Sequence, residues 1–213
     1  MIRRFLTLLL TLPLLFAPAA LAAPGIAADV LVKGVTDEVL AILRQDKALQ
    51  SGDRHKAVRL IDEKIAPHFD FHRMTSLAVG PTWRQTSFEQ REALAREFRT
   101  LLVRTYANAL TAYRDQTVSF KPTTGPREAG DVTVRSQINQ PGATPIALDY
   151  RLSRNGDSWK VFDVAVDNVS LVTSYRGNFA AELGKGGPDG LIAALREQNR
   201  RFENPPRSGD GRS

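Results

Sequence analysis

Few residues in this chain could do chemistry, and their spacing argues against an enzyme. There is no cysteine, hence no thiol nucleophile, and there is no GxSxG elbow. The run Gly184–Gly190 is rich in glycine but lacks the Walker lysine–hydroxyl pair and the GxGxxG spacing. It reads as a helix end and a turn. The three histidines are His55, His68 and His72. His68 and His72 stand four apart with Asp70 between them, a spacing that on one helical face would suggest a metal pair. Pro67 and the Phe69/Phe71 alternation put the helix start near Phe71, so the two rings need not converge. Capping or surface roles are expected, with no bound metal. Asp163 shares strand parity with Trp159 and Val161, which would turn its carboxylate inward. A hydrogen bond to the following turn is its expected role. One carboxylate without a second catalytic group is not an active site.

The elements that hold these residues follow from periodicity. Val32, Val35, Val39, Ile42 and Leu43 give Asp29–Leu49 a helical stripe, broken at Gly52. Val58, Ile61 and Ile65 repeat the pattern over Lys56–Ile65, and Pro67 closes it. A short helix is expected over Phe71–Val79, ended by Gly80-Pro81. The clearest helix runs Phe88–Asp115, opened by a Ser87/Gln90 capping box, with a stripe from Leu94 through Phe98 and Leu102 to Tyr113. The period then becomes two. Thr117–Lys121, Val132–Ile138, Ile146–Ser153 and Trp159–Val166 read as strands, with Asn155-Gly156 as a type I′ hairpin signal. Helix resumes over Ser170–Leu183, breaks at Gly186-Gly187-Pro188, and returns over Asp189–Phe202. Helices, then a meander, then helices is an α+β order. The expected architecture is a set of helices packed on a curved, mainly antiparallel four-stranded sheet, an NTF2-like cone able to enclose an apolar pocket.

The N-terminus carries Arg3 and Arg4, an apolar stretch Phe5–Phe16 and an Ala20-Leu21-Ala22 site, so residues 1–22 read as a cleaved secretory signal. Residues 23–204 then form a single domain, and Pro205–Ser213 a disordered tail. Subtracting the two leader arginines from 29 Lys+Arg leaves 27 against 23 Asp+Glu, a net charge of +4. The basic residues are scattered and not interleaved with aromatics, so nucleic acid is not an expected partner. A weak positive field suits solubility, anionic headgroups or an acidic partner.

One stretch, Trp159–Gly190, is specific beyond its periodicity. It carries Trp159, Val161, Asp163 and Val164, then Val169, Ser170 and Leu171, then Tyr175, Arg176 and Phe179. Upstream stand Phe71, Met74, Gly80 and Trp83, followed by Ser87, Gln90, Phe98, Leu102, Tyr106 and Tyr113; Gly190, Leu191 and Leu195 close the pattern. In this order and spacing the chain resembles the MlaC / toluene-tolerance (Ttg2-type) family. One departure is Asn168, where the family has glycine; asparagine tolerates the left-handed backbone, so the turn should survive.

The resemblance implies a periplasmic carrier that binds glycerophospholipid acyl chains in an apolar cavity, with the headgroup near solvent. It implies shuttling between an outer-membrane lipoprotein–porin complex and an inner-membrane ABC transporter with a substrate-binding hexameric component, to maintain outer-membrane lipid asymmetry. It implies no cofactor and no turnover, and a monomer is expected. The matched segments put Phe71, Met74, Leu77, Phe98, Leu102, Tyr106, Val134, Leu148, Tyr150, Val161, Val169, Leu171, Tyr175 and Phe179 forward as pocket residues. Ordinary core packing is the competing role for each. Arg176 could meet a phosphate, as arginine often does, but a surface ion pair is its expected role. Two rival readings stay open. An NTF2-like small-ligand binding protein or enzyme would set His68 or His72 beside Asp163 in the cavity. A periplasmic interaction module would have a filled interior and an exposed apolar patch.

Overall fold

A computed structural model describes residues 26–122 and 130–203. The expected leader and the expected tail lie outside the described residues. The helix α1, Ala28–Gln45, buries Ala28, Val32, Val39 and Leu43 along one stripe. It stops earlier than its periodicity suggests. Asp46 turns extended, and its carboxylate accepts from the amides of Ala48 and Leu49, capping the short α2, Lys47–Gln50. Gly52, at φ 97, makes the next corner, and Asp53 caps α3, Arg54–Leu60. That helix loosens into a π-helical turn, Ile61–Ile65, and ends in a 3-10 turn, Ala66–His68, that contains Pro67. The helix α4, Phe71–Val79, begins with Asp70 accepting from the Arg73 amide at 2.8 Å and ends at Gly80, φ 70. The capping box of Ser87 and Gln90 opens α5, Phe88–Thr111.

Five strands follow in an antiparallel meander: β1 Thr117–Phe120, β2 Asp131–Asn139, β3 Ile146–Asn155, β4 Ser158–Val166 and β5 Val169–Ser170. The fifth, two residues long, is one more than periodicity predicts, being too short to show a period. Asn155 pairs with Ser158, so the hairpin loop is Gly156-Asp157 and only Gly156 has positive φ, at 60. That is the pattern of a type II′ turn, not type I′. Asp167 and Asn168 both take the left-handed region, at φ 47 and 67, and the turn expected to survive without glycine does so. The last helix, α6, spans Leu171–Glu203 but is interrupted at Gly186 and Gly187, as the glycines and Pro188 predict.

One irregularity decides how the sheet is used. Arg151 pairs with Asp163 and Leu152 with Val161, so Phe162 is an extra residue in β4. A bulge reverses side-chain parity along a strand. Phe162, on the opposite face from Val161, packs with Met74, Phe98, Val172 and Phe179 in a core shared by α4, α5 and α6, and the parity change falls on Asp163 and Val164. Val161 and Val164 stay with Trp159, Leu152, Val134 and the start of α1 in a second core. A third joins α1, α3 and α5 through Val39, Leu43, Leu60, Val103 and Tyr113. The sheet is curved and unclosed, and α1 crosses its face.

Candidate functional site

Between the core on the sheet and the core under α1 lies a cavity of about 650 Å³. Four stretches of chain wall it. From α1 come Leu31, Val32, Val35, Thr36, Val39, Leu40 and Leu43; from the turn after α3, Ile65, His68 and Phe69. The end of α5 and its exit add Ala109, Leu110, Ala112, Tyr113 and Gln116, and the sheet with the residue just past β2 adds Val118, Ile138, Gln140, Ile146, Leu148, Tyr150 and Val161. An i, i+3, i+4 stripe on α1 thus faces the period-two positions Ile146, Leu148 and Tyr150 of β3, flanked by Ile138 of β2 and Val161 of β4, across an open space. Exposure identifies the mouth: Ala109, Ala112, Gln140 and Ile146 are exposed, whereas Val32, Val39, Leu43 and Val161 are buried.

The wall has few polar atoms. The Tyr150 hydroxyl shares hydrogen bonds with Ser136 and Thr36, and burial pushes it up to about 12. Part of its ring faces the cavity, yet the group lies deep in the protein, and depth sets the shift. His68 is lowered first by desolvation and then by the nearby Lys160 ammonium, which keeps its imidazole neutral at ordinary pH. At the mouth, the Gln116 amide donates to Gln140 at 3.4 Å, and Tyr113 accepts from Arg44 Nε at 3.1 Å and donates to the Gln116 carbonyl at 3.2 Å.

Asp163 does not look into this space. Its carboxylate is 2% exposed and accepts from Ser170 Oγ at 2.7 Å and the Val172 amide at 3.2 Å. Ser170 in turn accepts from the Thr173 amide, so acid and hydroxyl together cap α6. The hydrogen bond to the following turn is as expected from sequence. The inward parity is not, because the Phe162 bulge comes between Val161 and Asp163. Arg151, paired with Asp163 across the sheet, completes the site at 3.7 Å. Of the histidines only His68 reaches the cavity; His72 points to Glu92 at 2.8 Å and sets its ring edge against Trp83. The His–Asp pairing that an NTF2-like enzyme would need does not form, and the interior is not filled as a pure interaction module would have it. Among the described residues no cluster of three or more His, Cys, Asp or Glu could hold a metal.

The candidate pocket residues divide sharply. Leu148, Tyr150 and Val161 stand on the cavity wall. Met74, Phe98, Leu102 and Phe179 are buried in the core of α4, α5 and α6, with Phe71, Leu77 and Tyr175 packed against it. Phe98 sits at 5.0 Å from both Tyr175 and Phe179 in edge-on contacts. Val134 is buried in the core on the sheet and Leu171 packs against it. Tyr106 and Val169 are exposed, at 37% and 60%. Arg176 makes no ion pair among the described residues; it donates to the Leu77 carbonyl at 3.0 Å. Sequence reasoning missed the α1 stripe and the end of α5 as wall residues. Their apolar spacing is visible, but cavity wall and core ask for the same side chains. Facing the period-two strands is what makes them a wall.

A family model described as MlaC protein matches residues 33–197. The intermembrane phospholipid transport system binding protein MlaC of Haemophilus influenzae is 26% identical, over 79% of this chain and 80% of its own. The toluene tolerance protein ttg2D of Pseudomonas putida is 25% identical, over 75% of this chain and 74% of its own. A solved structure, a phospholipid-binding protein from Ralstonia solanacearum in complex with a phospholipid, is 39% identical. It superposes with a TM-score of 0.78 and covers 84% of this chain and 99% of that one. Among the described residues no helix is long and apolar enough to cross a membrane.

Proposed function

We propose that this chain, which belongs to the MlaC protein family, binds the acyl chains of a glycerophospholipid in the cavity under α1 and carries the lipid through the periplasm. The observation that carries the reading is the cavity itself: about 650 Å³, walled mainly by apolar side chains and bordered by the exposed Ala109, Ala112, Gln140 and Ile146. A phospholipid-bound structure of the same fold at 39% identity supports it. A signal at residues 1–22 would deliver the chain to the periplasm. There it would exchange lipid with an outer-membrane lipoprotein–porin complex and an inner-membrane ABC transporter with its hexameric substrate-binding component, serving outer-membrane lipid asymmetry. No catalytic step belongs to this role.

The energetics favour a carrier. Two acyl chains of about 15 methylenes each, at about 0.8 kcal/mol per methylene, represent roughly 24 kcal/mol of aversion to water. An apolar cavity removes most of that barrier. At roughly 30 Å³ per water-sized group, it takes about twenty methylene-sized groups. A two-chain lipid would leave some methylenes at the mouth or press the walls apart. Bilayer and cavity are both apolar, so transfer between them is near neutral, as loading and unloading require.

Native mass spectrometry of the protein purified from periplasm, with extraction of whatever co-purifies, tests the reading. Near-stoichiometric glycerophospholipid is the expected result. A clean lipid-free mass that stays unchanged after incubation with phospholipid vesicles would overturn it.

A further inference from the structure

The mouth of the cavity has a polarity that the acyl chains do not need. Two helix ends meet there. Leu40 from the last turns of α1 and Ala109, Leu110 and Ala112 from the end of α5 line the cavity there, and Arg44, four residues on from Leu40, is bonded to the wall residue Tyr113. Helix C-termini present unpaired carbonyls and the negative end of the macrodipole, so this rim by itself would repel an anion. The chain sets a guanidinium on each end. Arg44 spends only Nε on Tyr113, at 3.1 Å. Arg114 spends one terminal nitrogen on the Thr111 and Tyr113 carbonyls. Among the described residues neither arginine is paired with a carboxylate, although Arg73, Arg99, Arg104, Arg151, Arg196, Arg200 and Arg201 all are. Asp115, next in the chain, is exposed and paired with neither. Beside them the Gln116 and Gln140 amides lie on the cavity wall.

From this convergence we propose that Arg44 and Arg114, held over the mouth by Tyr113, bind the phosphodiester of the carried lipid, with Gln116 and Gln140 meeting its polar substituent. The assignment rests on the lipid-carrier reading and adds to it the place and sign of headgroup recognition. Guanidinium suits the task because its planar fork meets phosphate oxygens in pairs. Both side chains are exposed, so the contacts are screened, and the expected selectivity for a phosphate-bearing lipid is about tenfold and not a thousandfold.

The test uses the full chain, delipidated and reloaded from vesicles containing phosphatidylglycerol or diacylglycerol with the same acyl chains. Bound lipid per protein is read by native mass spectrometry. Wild type is expected to favour the phospholipid about tenfold. The double variant Arg44→Gln, Arg114→Gln should take up diacylglycerol as wild type does and lose the preference, and Arg44→Lys alone should retain part of it. A double variant that keeps the full preference overturns the rim and leaves the cavity reading standing. Wild type that takes up neither lipid overturns the carrier reading and the rim with it. A spectroscopic arm on wild type needs no variant: the Arg44 Nε–H resonance should shift on loading with phosphatidylglycerol and hold still with diacylglycerol. If millimolar inorganic phosphate alone produces the same shift, the site is one for free anions and the headgroup assignment fails.

Discussion

Placing a carboxylate on the cavity wall separates an acyl-chain site from a merely empty space. Leu148 is the position of choice. It is half-buried in β3, faces the cavity, and packs against the buried core on the sheet without being one of its fully buried members, so Leu148→Asp should fold. Without lipid, water can enter through the mouth and solvate the new charge. With acyl chains in place that water is gone, and the group must take a proton or stay uncompensated. Protonation sets the ceiling. Holding an aspartate neutral at pH 7 against its ordinary value near 3.9 costs about 4 kcal/mol, roughly a thousandfold in lipid affinity. The penalty has a sign in pH. It shrinks about tenfold per unit as pH falls below 7 and vanishes near pH 4, because the acid is then neutral with or without lipid. Leu148→Asn provides the contrast, with a weaker loss from an unpaired amide and no slope. The assay is titration of delipidated protein with a fluorescent phospholipid between pH 4 and 7.5, each point normalised to wild type. Wild-type affinity in Leu148→Asp at pH 7 would refute the assignment of acyl chains to this cavity. Equal, pH-independent losses in the Asp and Asn variants would refute the electrostatic argument.

The other variants probe parts of the fold that sequence alone confuses with the site. Phe179→Ala, in a core residue only 3% exposed, should cost about 3–5 kcal/mol and roughly 10 °C in Tm. Lipid loading well below Tm should be unchanged, and lost loading in a folded protein would make that cluster part of the site. The Tyr150 phenol should titrate near 12 by ultraviolet absorbance. Its raised pKa means that stability is full below pH 10 and falls between 10 and 12, by about 3 kcal/mol at most. Tyr150→Phe should abolish that fall, and a midpoint at 10 would contradict the burial. Asp163→Ala strands the Ser170 hydroxyl and the Val172 amide and should cost about 2–3 kcal/mol by denaturant melts, whereas a variant as stable as wild type would show that the carboxylate does not hold the start of α6.

What could be read in the sequence and what could not divide along one physical line. Signals that live within a few residues survived. The Ser87/Gln90 capping box, the break at Gly186 and Gly187, the left-handed Asn168 and the α+β order all depend on local backbone chemistry. Specific residue order across the chain marked the family as well, because Trp159 through Phe179 carry identity as well as hydrophobicity. The cavity wall depends on which apolar stripe meets which, and that is a property of three-dimensional packing. Phe98 and Phe179 have the spacing and size of pocket residues, yet they pack on each other at 5.0 Å. Val35 and Leu40 look no different in sequence and face empty space. The Phe162 bulge adds a second source of error. One unpaired residue inverts parity for the rest of β4, so Asp163, read inward by counting, caps α6 instead.

The same bulge explains how one strand serves two purposes. A regular β4 would alternate strictly, and half of its apolar positions would face solvent or the cavity. With Phe162 inserted, the strand keeps Trp159 and Val161 on the face under α1 and Phe162 in the helical core, adds Val164 to the first face, and leaves Asp163 free to cap α6. Arg73 lies 3.6 Å over the Phe162 ring and pairs with Asp131 of β2 at 2.7 Å, tying α4 to the sheet. The core of α4, α5 and α6 is thereby built almost wholly from residues off the cavity wall, Phe69 being the wall residue that also packs against it. A carrier needs that separation. Transfer of acyl chains between bilayer and cavity has to be nearly neutral, so a core that does not rely on a filled cavity suits a protein that must also exist empty. Phe98, Phe162 and Phe179 pack away from the cavity, in a core that an empty cavity leaves intact. That packing also leaves the small remaining preference to the polar rim, where about 1 kcal/mol outweighs the difference between two apolar surroundings.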